Sequence, residues 1–158
     1  MIGFFKTFLS RTRGLADKAK GIVIYDKALA LHSAKDYKSA QPLMIEAAKL
    51  GNLNAMTLLG SMYLLGQGVK EDGKTAVHWL QKAIDGNYEG AISVLGMAYA
   101  TGKAGVKIDL PKARELLTHA AGIGDKQSAR MLEMMDKGEG LFAKLGTRKS
   151  NKPHPRYH

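Results

Sequence analysis

NAMTLLGSMYLLGQGVKEDGKTAVHWLQKAIDGNYEG, residues Asn54 to Gly90, decides the fold of this 158-residue chain. Much of it recurs: Ala55, Leu59, Gly60, Tyr63 and Gly66 are matched by Ala91, Leu95, Gly96, Tyr99 and Gly102, each 36 residues later. A fixed period of this length marks a stacked-repeat architecture, in which no unit can bury its apolar face alone.

Within the quoted unit the pattern is that of two helices. At about 100° per residue, Ala55, Leu59, Met62, Tyr63 and Gly66 fall on one face. Gly66-Gln67-Gly68-Val69 is the turn, with Val69 as an apolar plug beneath it. The second helix follows Asp72 and is expected to bury Ala76, Trp79, Leu80 and Ala83. Asp36, Asp72 and Asp109 each stand four residues before Ala40, Ala76 and Ala113. An aspartate there can accept from the unpaired first amides of a helix and meets the positive end of its dipole. Asn87 occupies the place of Gly51 and Gly124 and tolerates the left-handed conformation that ends a helix.

Outward from this unit the repeat weakens. Residues 20–51 form a degenerate first repeat, in which Pro42 breaks register. Proline deep in a helix loses a hydrogen bond and crowds the preceding turn, so Ser39 is the alternative cap, which would bring Pro42 into the first turn. Repeat two spans 52–87. Repeat three, 88–124, carries one extra residue in its turn, Gly102-Lys103-Ala104-Gly105-Val106, and Pro111 just after the Asp109 cap, where its missing amide costs little. Ser128, Met131, Leu132 and Met135 make residues 125–137 a half-repeat cap. Residues 1–19, with Phe4, Phe5, Phe8 and Leu9 at helical spacing, read as an amphipathic helix capping the first repeat, or alternatively contacting a membrane surface. From 138 to 158 the pattern gives way to a basic tail, expected to be mobile.

The net charge of +10 is unevenly placed. Residues 1–20 carry +4 and residues 142–158 carry +5, so the repeat body is nearly neutral. There is no cysteine, which excludes disulfides and thiolate metal sites and fits a cytoplasmic setting. No apolar run is long enough to span a bilayer.

The pattern A-x-x-x-L-G-x-x-Y-x-x-G-x-G-V-x-x-D-x-x-x-A-x-x-W-x-x-x-A, carried by Ala55 to Ala83, resembles the Sel-one-like repeat (SLR) family, a cousin of the tetratricopeptide repeat. The resemblance covers about residues 20–137. It implies an all-α fold, an α/α solenoid of antiparallel helix pairs in a right-handed superhelix, with first helices lining the concave side. It also implies a non-catalytic adaptor or regulator that binds a partner protein or peptide, in a family with many bacterial members, some in toxin-linked settings. A toxin-neutralising or chaperone-like role is one form of that expectation. Secreted members with a disulfide in each repeat differ from this chain.

Neither catalysis nor a cofactor or metal is expected. His32, His78, His119, His154 and His158 show no ligand spacing, and the G-x-G turns lack the strand-turn-helix setting of a phosphate loop. The partner surface is expected on the first helices, at the apolar residues off the repeat face: Met56, Leu64, Leu65, Ile92, Met97 and Ala100. Phe4, Phe5 and Phe8 are the candidate membrane contacts. Nucleic acid is a poor fit, because no stacking platform accompanies the basic tail.

Overall fold

The computed structural model describes residues 2–144, all-helical and turn with no strand among them. Eight α-helices follow one another: α1 (Ile2–Ser33), α2 (Tyr37–Lys49), α3 (Leu53–Leu65), α4 (Gly73–Asp85), α5 (Gly90–Thr101), α6 (Leu110–Gly122), α7 (Lys126–Lys137) and α8 (Leu141–Lys144). The densest pairings are α1 with α2, α3 with α4 and α5 with α6. Three helical hairpins therefore stack, and α7 closes the last one. The first helices also touch along the stack, α3 with α5 and α5 with α7.

Local chemistry sets the helix boundaries. The three predicted caps are all present: Asp36 accepts from the Ser39 amide (3.2 Å), Asp72 from the Lys74 and Thr75 amides (2.9 and 3.2 Å), and Asp109 from Lys112 (3.0 Å). Asn52 and Asp125 cap α3 and α7 in the same way. Gly66 and Gly102 end α3 and α5 with φ of 68° and 69°, a region closed to most side chains, and Asn87 joins them at 65°. Gly60 and Gly96 serve a different need, the close approach of Leu80 and Leu117 from the second helix of each hairpin.

The core is built from small and medium residues. Ala55, Leu59, Met62, Ala76, Leu80, Ala83, Ala91 and Leu95 belong to one continuous cluster running through the first two hairpins into the third. Ala100, Ala113, Leu117, Met135 and Phe142 form a second cluster at the C-terminal end. The hairpins are also joined by polar contacts. His32 Nε2 lies 3.1 Å from Gln67 Oε1, and Gln67 Nε2 donates to the Tyr37 hydroxyl at 3.5 Å. Among the described residues no buried side-chain nitrogen or oxygen lacks a partner.

Four expectations need correction. Pro42 lies well inside α2, not in its first turn, because Asp36 and not Ser39 is the cap. The helix tolerates it because Pro42 and Lys38 are both exposed. Water can therefore serve the Lys38 carbonyl that the proline leaves without a helical donor. Trp79 is half-buried, with the Lys82 ammonium 5.2 Å from its ring centre. The pattern does not end at residue 138: α8 follows, and Phe142 is buried in the terminal core. Residues 145–158, most of the expected mobile tail, lie outside the described residues.

The fourth correction concerns the N-terminus. Residues 1–19 are not a separate cap, since one unbroken helix runs from Ile2 to Ser33. Gly21 packs on Leu50 at the end of α2, so α2 is too short to cover the N-terminal half of α1. Every residue from Ser10 to Ala16 is exposed, and the side chains of Phe4, Phe5, Phe8 and Leu9, on which the capping reading rests, lie outside the described set.

Candidate interaction groove

A solenoid of hairpins encloses each first helix on several sides. Its own second helix takes one face and the neighbouring hairpins take the flanks. What remains open is narrow. On α3, counting from Ala55 at about 100° per residue, Leu58, Ser61 and Leu65 lie at roughly 240–300°. On α5 the equivalents 36 positions on are Val94, Met97 and Thr101.

These strips border a groove of about 310 Å³, lined by Ser61, Leu64 and Leu65 from α3, Val94, Met97, Ala98 and Thr101 from α5, then Lys103 and Gln127. Leu65 is 55% exposed on its rim. The hydroxyls in the floor are already used: Ser61 Oγ donates to the Thr57 carbonyl (3.2 Å) and Thr101 Oγ1 to the Met97 carbonyl (2.8 Å). The floor therefore presents mainly carbon to an incoming group. Lys103, 3.5 Å from Glu71 Oε1, sets a cation at one end, and Gln127 adds an amide from α7. The volume is at the low end for small-molecule sites and suits a few apolar side chains of a larger partner.

The six residues expected to form the partner surface divide. Leu65 and Met97 line the groove with accessible surface, and Leu64 borders it while itself buried, 6% exposed. Met56, Ile92 and Ala100 are buried in the packing and are not available to a partner. The reason is angular: Met56 and Ile92 lie beside Gly60 and Gly96, the side on which the second helix of the hairpin docks. Sequence reasoning missed Ser61, Val94, Ala98, Thr101, Lys103 and Gln127. The signal for three of them was present, as the positional pairs Leu58–Val94, Ser61–Met97 and Leu65–Thr101 at the repeat spacing. Lys103 and Gln127 come from other elements, and no periodicity could have placed them. Phe4, Phe5 and Phe8 fall in α1, but their side chains lie outside the described set.

No His, Asp or Glu lines the groove. His78 and His119 are exposed on the second helices, and His32 is engaged with Gln67 and Tyr37. No group of three or more His, Cys, Asp or Glu that could hold a metal ion occurs among the described residues.

Comparison with known proteins agrees with the geometry. Residues 53–88 and 91–125 match the Sel1 repeat. An uncharacterized protein of Neisseria meningitidis serogroup B is 50% identical over 50 residues, 29% of this chain and 11% of that protein. The ERAD-associated E3 ubiquitin-protein ligase component HRD3A of Arabidopsis thaliana is 39% identical over 76 residues, 48% of this chain and 11% of that protein. The chain thus spans about a tenth of the length of each of these relatives. Among solved structures, a protective antigen of uropathogenic Escherichia coli with an SLR fold superposes with a TM-score of 0.67. It is 24% identical, over 87% of this chain and 33% of that one. The Helicobacter pylori cysteine-rich protein B superposes at 0.56 and 25% identity, over 73% of this chain and 94% of that one. Sequence repeat and helix pairing coincide over residues 53–125, and this part of the chain is built of Sel1 repeats.

Proposed function

We propose that this chain is a non-catalytic adaptor or regulator that binds a segment of a partner protein between α3, α5 and the start of α7. Sel1 repeats generally act as protein-interaction scaffolds. The observation that carries the reading here is the groove itself: exposed Leu65 and half-exposed Val94 and Met97 face one another across a floor whose hydroxyls are already satisfied. Methionine suits such a surface, because its flexible thioether adapts to the shape of a partner. An amphipathic helix or extended segment laid along the strip is the recognition mode that fits, with a partner carboxylate near Lys103. A toxin-neutralising or chaperone-like adaptor would use the groove in this way, occupying a partner's apolar segment.

The test is affinity capture from cell extract with the wild-type chain beside Leu65→Asp and Met97→Asp. Leu65 is exposed, so folding should survive its change, whereas Met97 also packs on the C-terminal core and its variant is read beside a circular dichroism melt. A protein retained by wild type and lost by at least tenfold from both variants supports the reading. A partner bound equally by all three places the interaction elsewhere.

A further inference from the structure

α1 carries a second surface, unrelated to the groove. Its inner side packs through Gly21 and Ala28, both buried. Turned away from that side, Leu15 is 65% exposed, Ile22 55% and Val23 69%, with Ala19 between them. Measured from Leu15 at about 100° per residue, these four occupy a sector of roughly 100°. Arg11 and Lys18 border it on one side, and Arg13, Lys20 and Lys27 on the other. Asp26 ends the apolar strip one turn after Val23. Of these cations only Lys20 is in an ion pair among the described residues, with Glu46 at 2.9 Å.

We propose that this face of α1 docks on an anionic membrane surface, lying in the headgroup plane with Leu15, Ile22 and Val23 toward the acyl chains. An apolar strip edged on both sides by cations is the arrangement of an interfacial helix, whose binding combines buried apolar area with attraction to anionic lipid. No helix among the described residues is long and apolar enough to cross a membrane. The N-terminal half of α1, with Leu15, extends past α2, while Ile22 and Lys18 also border a shallow hollow with Gly51–Asn54 and Tyr88. Charge separates this occupant from a second copy of the chain. Two such faces packed together would set Arg11, Lys18, Lys20 and Lys27 against their equivalents, with Asp26 the one acid on the face. A membrane surface instead meets the cations with headgroups of opposite sign and the apolar strip with acyl chains.

The full chain would be floated with vesicles of phosphatidylcholine alone and of phosphatidylcholine with 30% phosphatidylserine, a composition on the order used to mimic a cytoplasmic leaflet. Flotation is expected with the anionic vesicles, weakening as salt is raised. Leu15→Glu with Val23→Glu should reduce it at least tenfold, and Lys18→Gln roughly fivefold. Circular dichroism should show both variants as helical as wild type, because these side chains are exposed. Absence of flotation with anionic vesicles overturns the proposal, as does binding unchanged in the Leu15/Val23 variant. A concentration-dependent dimer lost in that variant, with no vesicle binding, would assign the face to a second copy and overturn it as well.

Discussion

Leu80 of α4 rests on the bare backbone of Gly60 in α3: a methyl group on that glycine would lie 2.7 Å from Leu80 Cγ and 3.2 Å from the Ala76 carbonyl oxygen. The next hairpin repeats the relationship, with Leu117 3.0 Å from the same position on Gly96. Both glycines sit in helix interiors, where alanine alone would be favoured by about 1 kcal/mol. Steric crowding in a close-packed core costs roughly 1–3 kcal/mol and opposes that preference. Gly60→Ala is therefore expected to destabilise the chain by up to about 2 kcal/mol, and Gly96→Ala, with the looser contact, by less. Urea unfolding of the two variants checks both sign and order. A stabilised Gly60→Ala would mean that Leu80 yields freely and that the hairpin contact is soft.

The aspartate caps give the fold an acid limb. Asp36, Asp72 and Asp125 are each held below the usual carboxylate value of 3.8, first by the hydroxyl of Ser39, Thr75 and Ser128, with help from backbone amides. A carboxyl depressed in the folded state binds its proton less readily there than in the unfolded chain. Its stabilisation is complete above the unfolded value and is lost as pH falls through the folded one. The melting temperature should be level from pH 7 to about 5 and fall progressively below that. Asp72→Asn with Asp125→Asn keeps two capping side chains while removing their titration. Its acid limb should be shallower than that of the wild type, and an identical slope would trace acid sensitivity to other carboxyls.

Those caps were legible in the sequence because capping is local: an aspartate four residues before a core alanine carries its own explanation. The hairpin register was legible for the same kind of reason, since Gly60, Tyr63 and Gly66 recur together at Gly96, Tyr99 and Gly102. What the sequence left open was three-dimensional. Met56 and Leu65 are both apolar and both off the repeat face, yet one faces α4 and the other faces solvent. Only the direction from which the second helix docks tells them apart. The reach of α1 was hidden too, because nothing in residues 1–33 stops a helix, and its partner α2 ends at Lys49. Leu64, Leu65 and Met97 border the groove, and the exposed strip on Leu15 and Val23 was not anticipated.

Phe142 shows the same limit at the other end. It stands alone after Gly138 and Gly140, without periodicity to announce it, yet it is among the largest fully buried side chains. It closes the cluster of Ala100, Ala113, Leu117 and Met135 that α7 alone would leave open. Phe142→Ala should cost about 3 kcal/mol, the lower end for a buried phenylalanine because the site is near the end of the stack. Thermal unfolding measures it. A loss under about 0.5 kcal/mol, ordinary for an exposed site, would show that α8 does not seal the core.

The division of the apolar residues on α3 and α5 makes the sharpest prediction, because it sets chemically similar substitutions against each other. An aspartate at Ile92 would carry a charge into the buried side of α5 beside Gly96, and burying an unpaired charge costs several kcal/mol. The same change at Leu65 stays largely in water, and surface substitutions are typically within about 0.5 kcal/mol. Ile92→Asp should therefore unfold the chain or lower its melting temperature sharply and lose partner binding along with the fold. Leu65→Asp should leave the melting temperature nearly unchanged and lose binding alone. Circular dichroism melts run beside partner capture separate the two outcomes. Equal destabilisation by both substitutions would mean that the open strip on α3 is closed in solution, and the groove would then be no site.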